Sequence, residues 1–205
     1  MCDETESGVP PALADADRHW LLRLARRSLE TVVRTHRLPE VEAATIPGAA
    51  RSPRAAFVTL TRQGQLRGCI GNLTANRPLY AAVMENARSA AIRDPRFPAV
   101  EPAELADLRI EISVLSEPAP LAYDSPVELL DRLRPGRDGV VLRVGPRTAT
   151  FLPQVWEHLP APVDFLNALA RKAGVAPDAW RDPETRVSIY HVEAFEEPEP
   201  DRAAD

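Results

Sequence analysis

The chain has 205 residues, 44% of them hydrophobic, with a net charge of -5 and a pI of about 5.5. That size and apolar content suit one large folded domain or two small ones and set disorder aside as the default. The acidic balance disfavours nucleic acid or an anionic membrane as the main partner, because both need a concentrated basic footprint.

No apolar run approaches the roughly 18 residues of a membrane span. The opening Met1-Cys2-Asp3-Glu4 is acidic and lacks the apolar core of a secretory signal, so a cytoplasmic location is expected. Cys2 and Cys69 are the two cysteines. Cys2 lies in a polar leader, so a disulfide framework is not expected. Of the 25 basic residues only Lys172 is a lysine. A compact ammonium and a planar guanidinium are not interchangeable, which singles that residue out.

Residues 1 to 15 read as a flexible leader and 197 to 205 as a flexible acidic tail, with a single domain over 16 to 196. Asp17 is placed to cap a helix over 18 to 36, on which Leu21, Leu24, Ala25, Leu29 and Val32 recur at helical spacing. Residues 43 to 53 read as a long connection. Residues 55 to 60 and 65 to 70 read as a hairpin turning at Gly64. Pro78 opens a helix over 79 to 92, and Asp94-Pro95 closes it. A helical turn over 102 to 106 leads to the clearest strand, 108 to 116, in which Leu108, Ile110, Ile112 and Val114 alternate with polar residues.

Ser125-Pro126-Val127-Glu128 matches a capping box before a helix ending near Leu133. Residues 139 to 144 and 147 to 151 form a hairpin across Gly145-Pro146. A short helix follows from Pro153 to His158, then one capped by Asp164 and stopped by Gly174. One last strand covers 187 to 195. The tally is five or six strands joined by hairpins or helices, without βαβ alternation. The fold class is therefore α+β with a largely antiparallel sheet packed with helices.

The chemistry centres on Leu66-Arg67-Gly68-Cys69-Ile70-Gly71. Strand alternation puts Arg67 and Cys69 on one face. Gly68 and Gly71 let a backbone or a ligand come close. Cationic neighbours favour thiolate, the reactive form, so Cys69 is a candidate nucleophile or redox thiol. The alternative is a small buried hydrophobe. Asp94 and Arg96 form either a loop-holding pair or an anion clamp. Glu111 and Ser113 sit on the polar face of a strand that should be central, and Glu111 is a candidate, with His191, to move protons for Cys69. His191 is the one candidate general base for Cys69 by residue type, with nothing in the spacing to support the pairing. No metal site and no cofactor motif is legible.

Several segments together resemble the AMMECR domain family, whose bacterial and archaeal members are called AmmeMemoRadiSam system protein A. They are Phe57-Val58-Thr59-Leu60, Leu66 to Gly71, Asp94-Pro95-Arg96-Phe97, Glu111 to Ser116, Asp138-Gly139-Val140, Phe151 to Val155 and Lys172-Ala173-Gly174. The resemblance spans about residues 18 to 196. It implies larger and smaller subdomains with a cleft between them. It also implies association with a Memo-like protein and a radical-SAM protein, and it brings no settled reaction. Its motif positions here are Arg67, Gly68, Cys69, Gly71, Asp94, Arg96, Glu111, Ser113, Gln154 and Lys172. Two functions follow as expectations. One is a Cys69-centred cleft that binds a small or peptide-like ligand, with thiol chemistry there. The other is a non-catalytic adaptor for a Memo-like partner.

Overall fold

The computed structural model describes residues 12–198. Most of the expected leader and tail lies outside them, and the described ends of both are tied in. Leu13 is buried and its N–H donates to Glu193 at 3.1 Å. Glu197 accepts from Arg26 and from the Ile110 N–H. An apolar side chain at one end and a paired carboxylate at the other hold these residues in place.

Among the described residues there are two compact units. Residues 12–115 and 193–198 form the first, and Ser116–Val192 the second. In the first, α1 (Asp15–Thr35) buries Leu21, Leu24, Ala25, Leu29 and Val32, the expected stripe. The helix starts earlier than its expected cap. Ala14 is the N-cap without a side-chain bond, and Asp15 and Asp17 both sit in the first turn, where carboxylates favour the positive helix end. The connection after it contains a short helix, α2 (Gly48–Arg51).

Strands β1 (Ala55–Arg62) and β2 (Gln65–Gly71) form the expected hairpin. Gln63 and Gly64 both have positive φ, 53° and 76°, the combination a tight two-residue hairpin turn needs. Helix α3 (Leu79–Ile92) and strand β3 (Leu108–Leu115) follow. Ala56, Val58 and Leu60 of β1 and Ile110, Ile112 and Val114 of β3 are buried in one core with Leu21, Leu29, Val83 and Ala87 of α1 and α3. Each larger aliphatic chain contributes on the order of 1.5–3 kcal/mol by leaving water.

The second unit contains β4 (Ala119–Pro120), α4 (Pro126–Arg132), β5 (Gly139–Val144), β6 (Arg147–Phe151), α5 (Pro162–Lys172) and β7 (Arg186–Tyr190). The Ser125 hydroxyl oxygen accepts from the Glu128 N–H, as the capping box predicts. Helix α5 begins at Pro162, so Asp164 lies in its first turn and Ala161 is the N-cap. Trp156 stacks on Phe165 with centroids 3.7 Å apart, among Leu129, Leu142, Leu169 and Trp180.

The expected last strand is in fact two. It breaks at His191 into β7 and β8 (Val192–Glu196), which join different sheets. The break is where Ser116 intervenes: its N–H donates to the His191 carbonyl and its hydroxyl oxygen accepts from the His191 N–H. The first sheet therefore runs β2-β1-β3-β8 and the second β4-β7-β5-β6. The class is α+β as expected, with eight strands in two antiparallel four-stranded sheets among the described residues, not five or six in one.

Gly68 faces α3 so closely that a Cβ there would stand 2.3 Å from the Ala90 carbonyl oxygen. Because that neighbour is helix backbone, the strand or the helix must move to admit a methyl group. We expect Gly68→Ala to lower unfolding stability by about 1–3 kcal/mol in denaturant melts. An unchanged midpoint would contradict this packing.

Candidate functional site

β1 sets the site because its side chains alternate. Ala56, Val58 and Leu60 go to the core, and Phe57, Thr59 and Thr61 face the other way. Thr59 pairs with Cys69 on one side and with Glu111 on the other. Phe57 likewise pairs with Gly71 and with Ser113. Cys69, Thr59, Glu111 and Ser113 thus share the face opposite the helices. The Thr59 hydroxyl donates to the Cys69 sulfur at 3.3 Å, and the Ser113 hydroxyl donates to a Glu111 carboxylate oxygen at 3.2 Å. Cys69 is partly exposed and in no disulfide. β1 lies between Cys69 and Glu111, so the two are about 10 Å apart, two strand spacings. Glu111 is too distant to take a proton from the thiol directly.

β2 is an edge strand, and its outward backbone groups at Cys69 are satisfied by one ion pair. The Cys69 N–H donates to Asp94 Oδ2 at 2.9 Å, and its carbonyl accepts from Arg96 at 3.2 Å. Arg96 also donates to both Asp94 oxygens, at 2.9 and 2.7 Å. The Asp94 side chain is 2% exposed, whereas that of Arg96 is 53% exposed. The Arg96 hydrogen bond, helped by the backbone N–H donors, holds the Asp94 carboxyl far below the usual range against the cost of burial. Arg96 is raised in turn, first by Asp94, with smaller contributions from Cys69 itself. The guanidinium sits at the Cys69 backbone, where it donates to the carbonyl. Both readings of Asp94 and Arg96 have a footing: the pair holds the loop, and the cation stays half open to solvent.

Arg67 is placed differently from the expectation. The β1–β2 register slips between Leu60 and Thr61, leaving Arg67 as the extra residue of a bulge. Strict alternation fails there, and Arg67 donates to Glu104 at 2.8 and 2.9 Å and to the carbonyls of Pro98 and Ala99. The Arg67 hydrogen bond depresses the Glu104 carboxyl. The space beside the glycines is filled by protein. Gly68 meets Ala90, and a Cβ at Gly71 would stand 2.2 Å from the Phe57 ring.

The other expected residues lie in the second unit. His191 Nε2 is 3.2 Å from Asp138 Oδ1. Asp138 is 1% exposed, and its other oxygen accepts from the Arg134 N–H. Its carbonyl accepts from the Trp156 indole at 2.7 Å. A carboxylate fixed at so many points fixes the orientation of the ring beside it. Lys172 donates to the Thr150 carbonyl at 2.9 Å, with its ammonium 4.9 Å from the centre of the Phe151 ring. Gln154 is exposed on the 3-10 turn Pro153–Glu157. Sequence reasoning missed Thr59, whose place shows only in the register, and Asp138, whose motif was read without a role. It also missed Asn86, buried on α3, which donates to the Ala56 carbonyl at 2.8 Å and to Asn72. No helix is long and apolar enough to cross a membrane, among the described residues. Nor do three His, Cys, Asp or Glu residues gather there as a metal would need.

The depressed Asp94 gives a pH dependence with a definite sign. The unfolded chain binds this proton at about pH 3.9 and the folded chain only at lower pH. The pair's stabilisation is complete at neutral pH and drains away as pH falls through that window. Asp94→Asn should flatten the acid limb of stability against pH. At neutral pH it should cost about 1–3 kcal/mol, because the Arg96 partner is lost. Parallel acid limbs in the two proteins would show that Asp94 does not carry the effect.

A family model described as AMMECR1 matches residues 22–195. A protein of Methanothermobacter thermautotrophicus is 40% identical over 185 residues, which are 86% of this chain and 92% of its own length. One of Methanopyrus kandleri is 36% identical over 190 residues, 89% of each. The crystal structure of an uncharacterised protein from Pyrococcus horikoshii superposes with a TM-score of 0.79 at 35% identity, covering 90% of this chain and 93% of that one. With its fold and nearly its whole length matched in this way, the chain belongs to the AMMECR1 family.

Proposed function

We propose that this protein binds a small or peptide-like ligand on the helix-free face of its first sheet, with Cys69 as the reactive or anchoring group. The observation that supports this is the shared face itself. Cys69, Thr59, Glu111 and Ser113 lie side by side over three strands, with the exposed part of Arg96 at the rim. The spacing suits a ligand that touches Cys69 at one end and Glu111 about 10 Å away at the other. Arg96 offers planar, bidentate donation to an anionic group on that ligand. In this reading Glu111 and Ser113 hold the ligand, and the thiol meets its electrophilic part.

A second reading has its own observation. The thiol's hydrogen-bond partner is a hydroxyl, that of Thr59, and the carboxylate on the same face is two strands distant. A surface without a base in direct reach suits an adaptor, whose partner would be a Memo-like or a radical-SAM protein, with no chemistry of its own.

Iodoacetamide labelling separates these readings from an inert, packed thiol. In a Cys2→Ser background only Cys69 reports. It should alkylate in the folded protein, and Arg96→Ala should change the rate, while Glu111→Gln should leave it within about twofold because of the two-strand gap. Labelling that appears only on unfolding would sink the ligand site. Co-purification of a Memo-like protein with the wild type and equally with Cys69→Ala would favour the adaptor.

A further inference from the structure

The second unit holds an arrangement that the Cys69 face does not use. Arg143 of β5 and Arg186 of β7 stand directly opposite each other across antiparallel strands. Their neighbours Val140, Leu142, Val187 and Ile189 face the core, so both arginines project from the opposite face, and both are exposed. Like charges in directly opposed positions repel. Neither guanidinium makes an ion pair or a side-chain hydrogen bond among the described residues. The groups beside them on this face include Val141, which pairs with Ser188, and two hydroxyls. Thr148 pairs with Arg143, and Ser188 is two residues along β7 from Arg186.

Arg186 also lines a cavity of about 520 Å³ between the segments 120–126 and 181–188. That volume lies within the roughly 300–1,000 Å³ of small-molecule sites. Arg181, Tyr123, Ser188, Asp124 and Asp182 line it too. Arg181 lies flat over the Trp180 ring, its Cζ 4.1 Å from the centroid. Tyr123 donates to the Thr185 carbonyl at 3.2 Å, and Arg186 acts on its hydroxyl electrostatically, against the effect of burial. Asp182 is occupied by the Glu184 N–H at 2.8 Å.

We propose that this cavity binds a small molecule carrying one phosphate-like or carboxylate-like group, anchored by Arg186 with Arg143 beside it. An oxyanion held by Arg186 at the cavity wall relieves its repulsion with Arg143, which stands opposite it on β5 and outside the cavity lining. The two carboxylates on the cavity wall exclude a polyanion and suit a ligand whose remaining part is neutral or cationic. The site rests on the second unit alone and stands whether or not Cys69 binds anything.

The probe is inorganic phosphate, followed by thermal melting and by NMR of the arginine Nε–H groups of the full chain, against potassium chloride at equal ionic strength. Phosphate should raise the wild-type melting temperature and shift the Arg186 and Arg143 signals saturably. Arg186→Ala should weaken the apparent affinity about tenfold, and Arg143→Ala should weaken it by less. In phosphate-free buffer each variant should melt no lower than the wild type, because the repulsion is gone. Acetate producing the same shifts would support the site with a carboxylate as its anion. Phosphate stabilisation that persists undiminished in the Arg143→Ala, Arg186→Ala double variant would overturn it. So would arginine signals that stay unmoved at saturating phosphate.

Discussion

The Asp94 carboxylate does the most with the fewest atoms. β2 is the outer strand of its sheet, and an outer strand exposes unpaired backbone groups. Asp94 and Arg96 together close the strand at Cys69, one taking its N–H and the other giving to its carbonyl. Asp94 can be buried because it is charged, paired and bonded by backbone donors at once. Remove the charge and the strand, the loop and the thiol lose a common support. Burial alone would push such a carboxyl toward neutrality, and the Arg96 bond outweighs it.

From that fixed edge the rest of the surface follows by counting. Alternation on β1 sends every second side chain to the helices and leaves Thr59 as the middle of a three-strand row. The register ties Cys69, Thr59 and Glu111 into a line whose length is set by strand spacing and not by side-chain choice. This is why a Cys–Glu proton relay fails on geometry while an extended ligand surface does not. The bulge at Arg67 has the opposite effect. By adding one residue it turns a cation from the thiol to Glu104, and the cation near the thiol comes instead from a loop 27 residues later.

Much of this was legible in the sequence. The helix over 79 to 92, the strand beginning at Leu108 and the hairpin at Gly64 all carry local signals strong enough to survive packing. What was not legible depends on distant partners. Residues 187 to 195 read as one run of β-forming residues, and the Ser116 hydrogen bonds show that the strand breaks at His191. The bulge at Arg67 leaves no mark in composition. Asp138 stood in a family segment with no role attached, and its contact with His191 spans 53 positions. Gly68 and Gly71 were correctly read as places of close approach, but the approaching groups are Ala90 and Phe57.

The break at His191 also bears on how the chain folds. β3 and β8 are neighbours in one sheet, yet all of residues 116–191 lie between them in sequence. Closing so long a loop carries an entropic cost that grows slowly with its length. Ser116 and His191 stand at the two ends of that loop and are joined by two hydrogen bonds. Once the inserted segment has folded and brought these ends together, β8 reaches β3 as though from a short turn. The two hydrogen bonds thus act as a clasp at the base of the inserted segment, and they shorten the effective connection between β3 and β8.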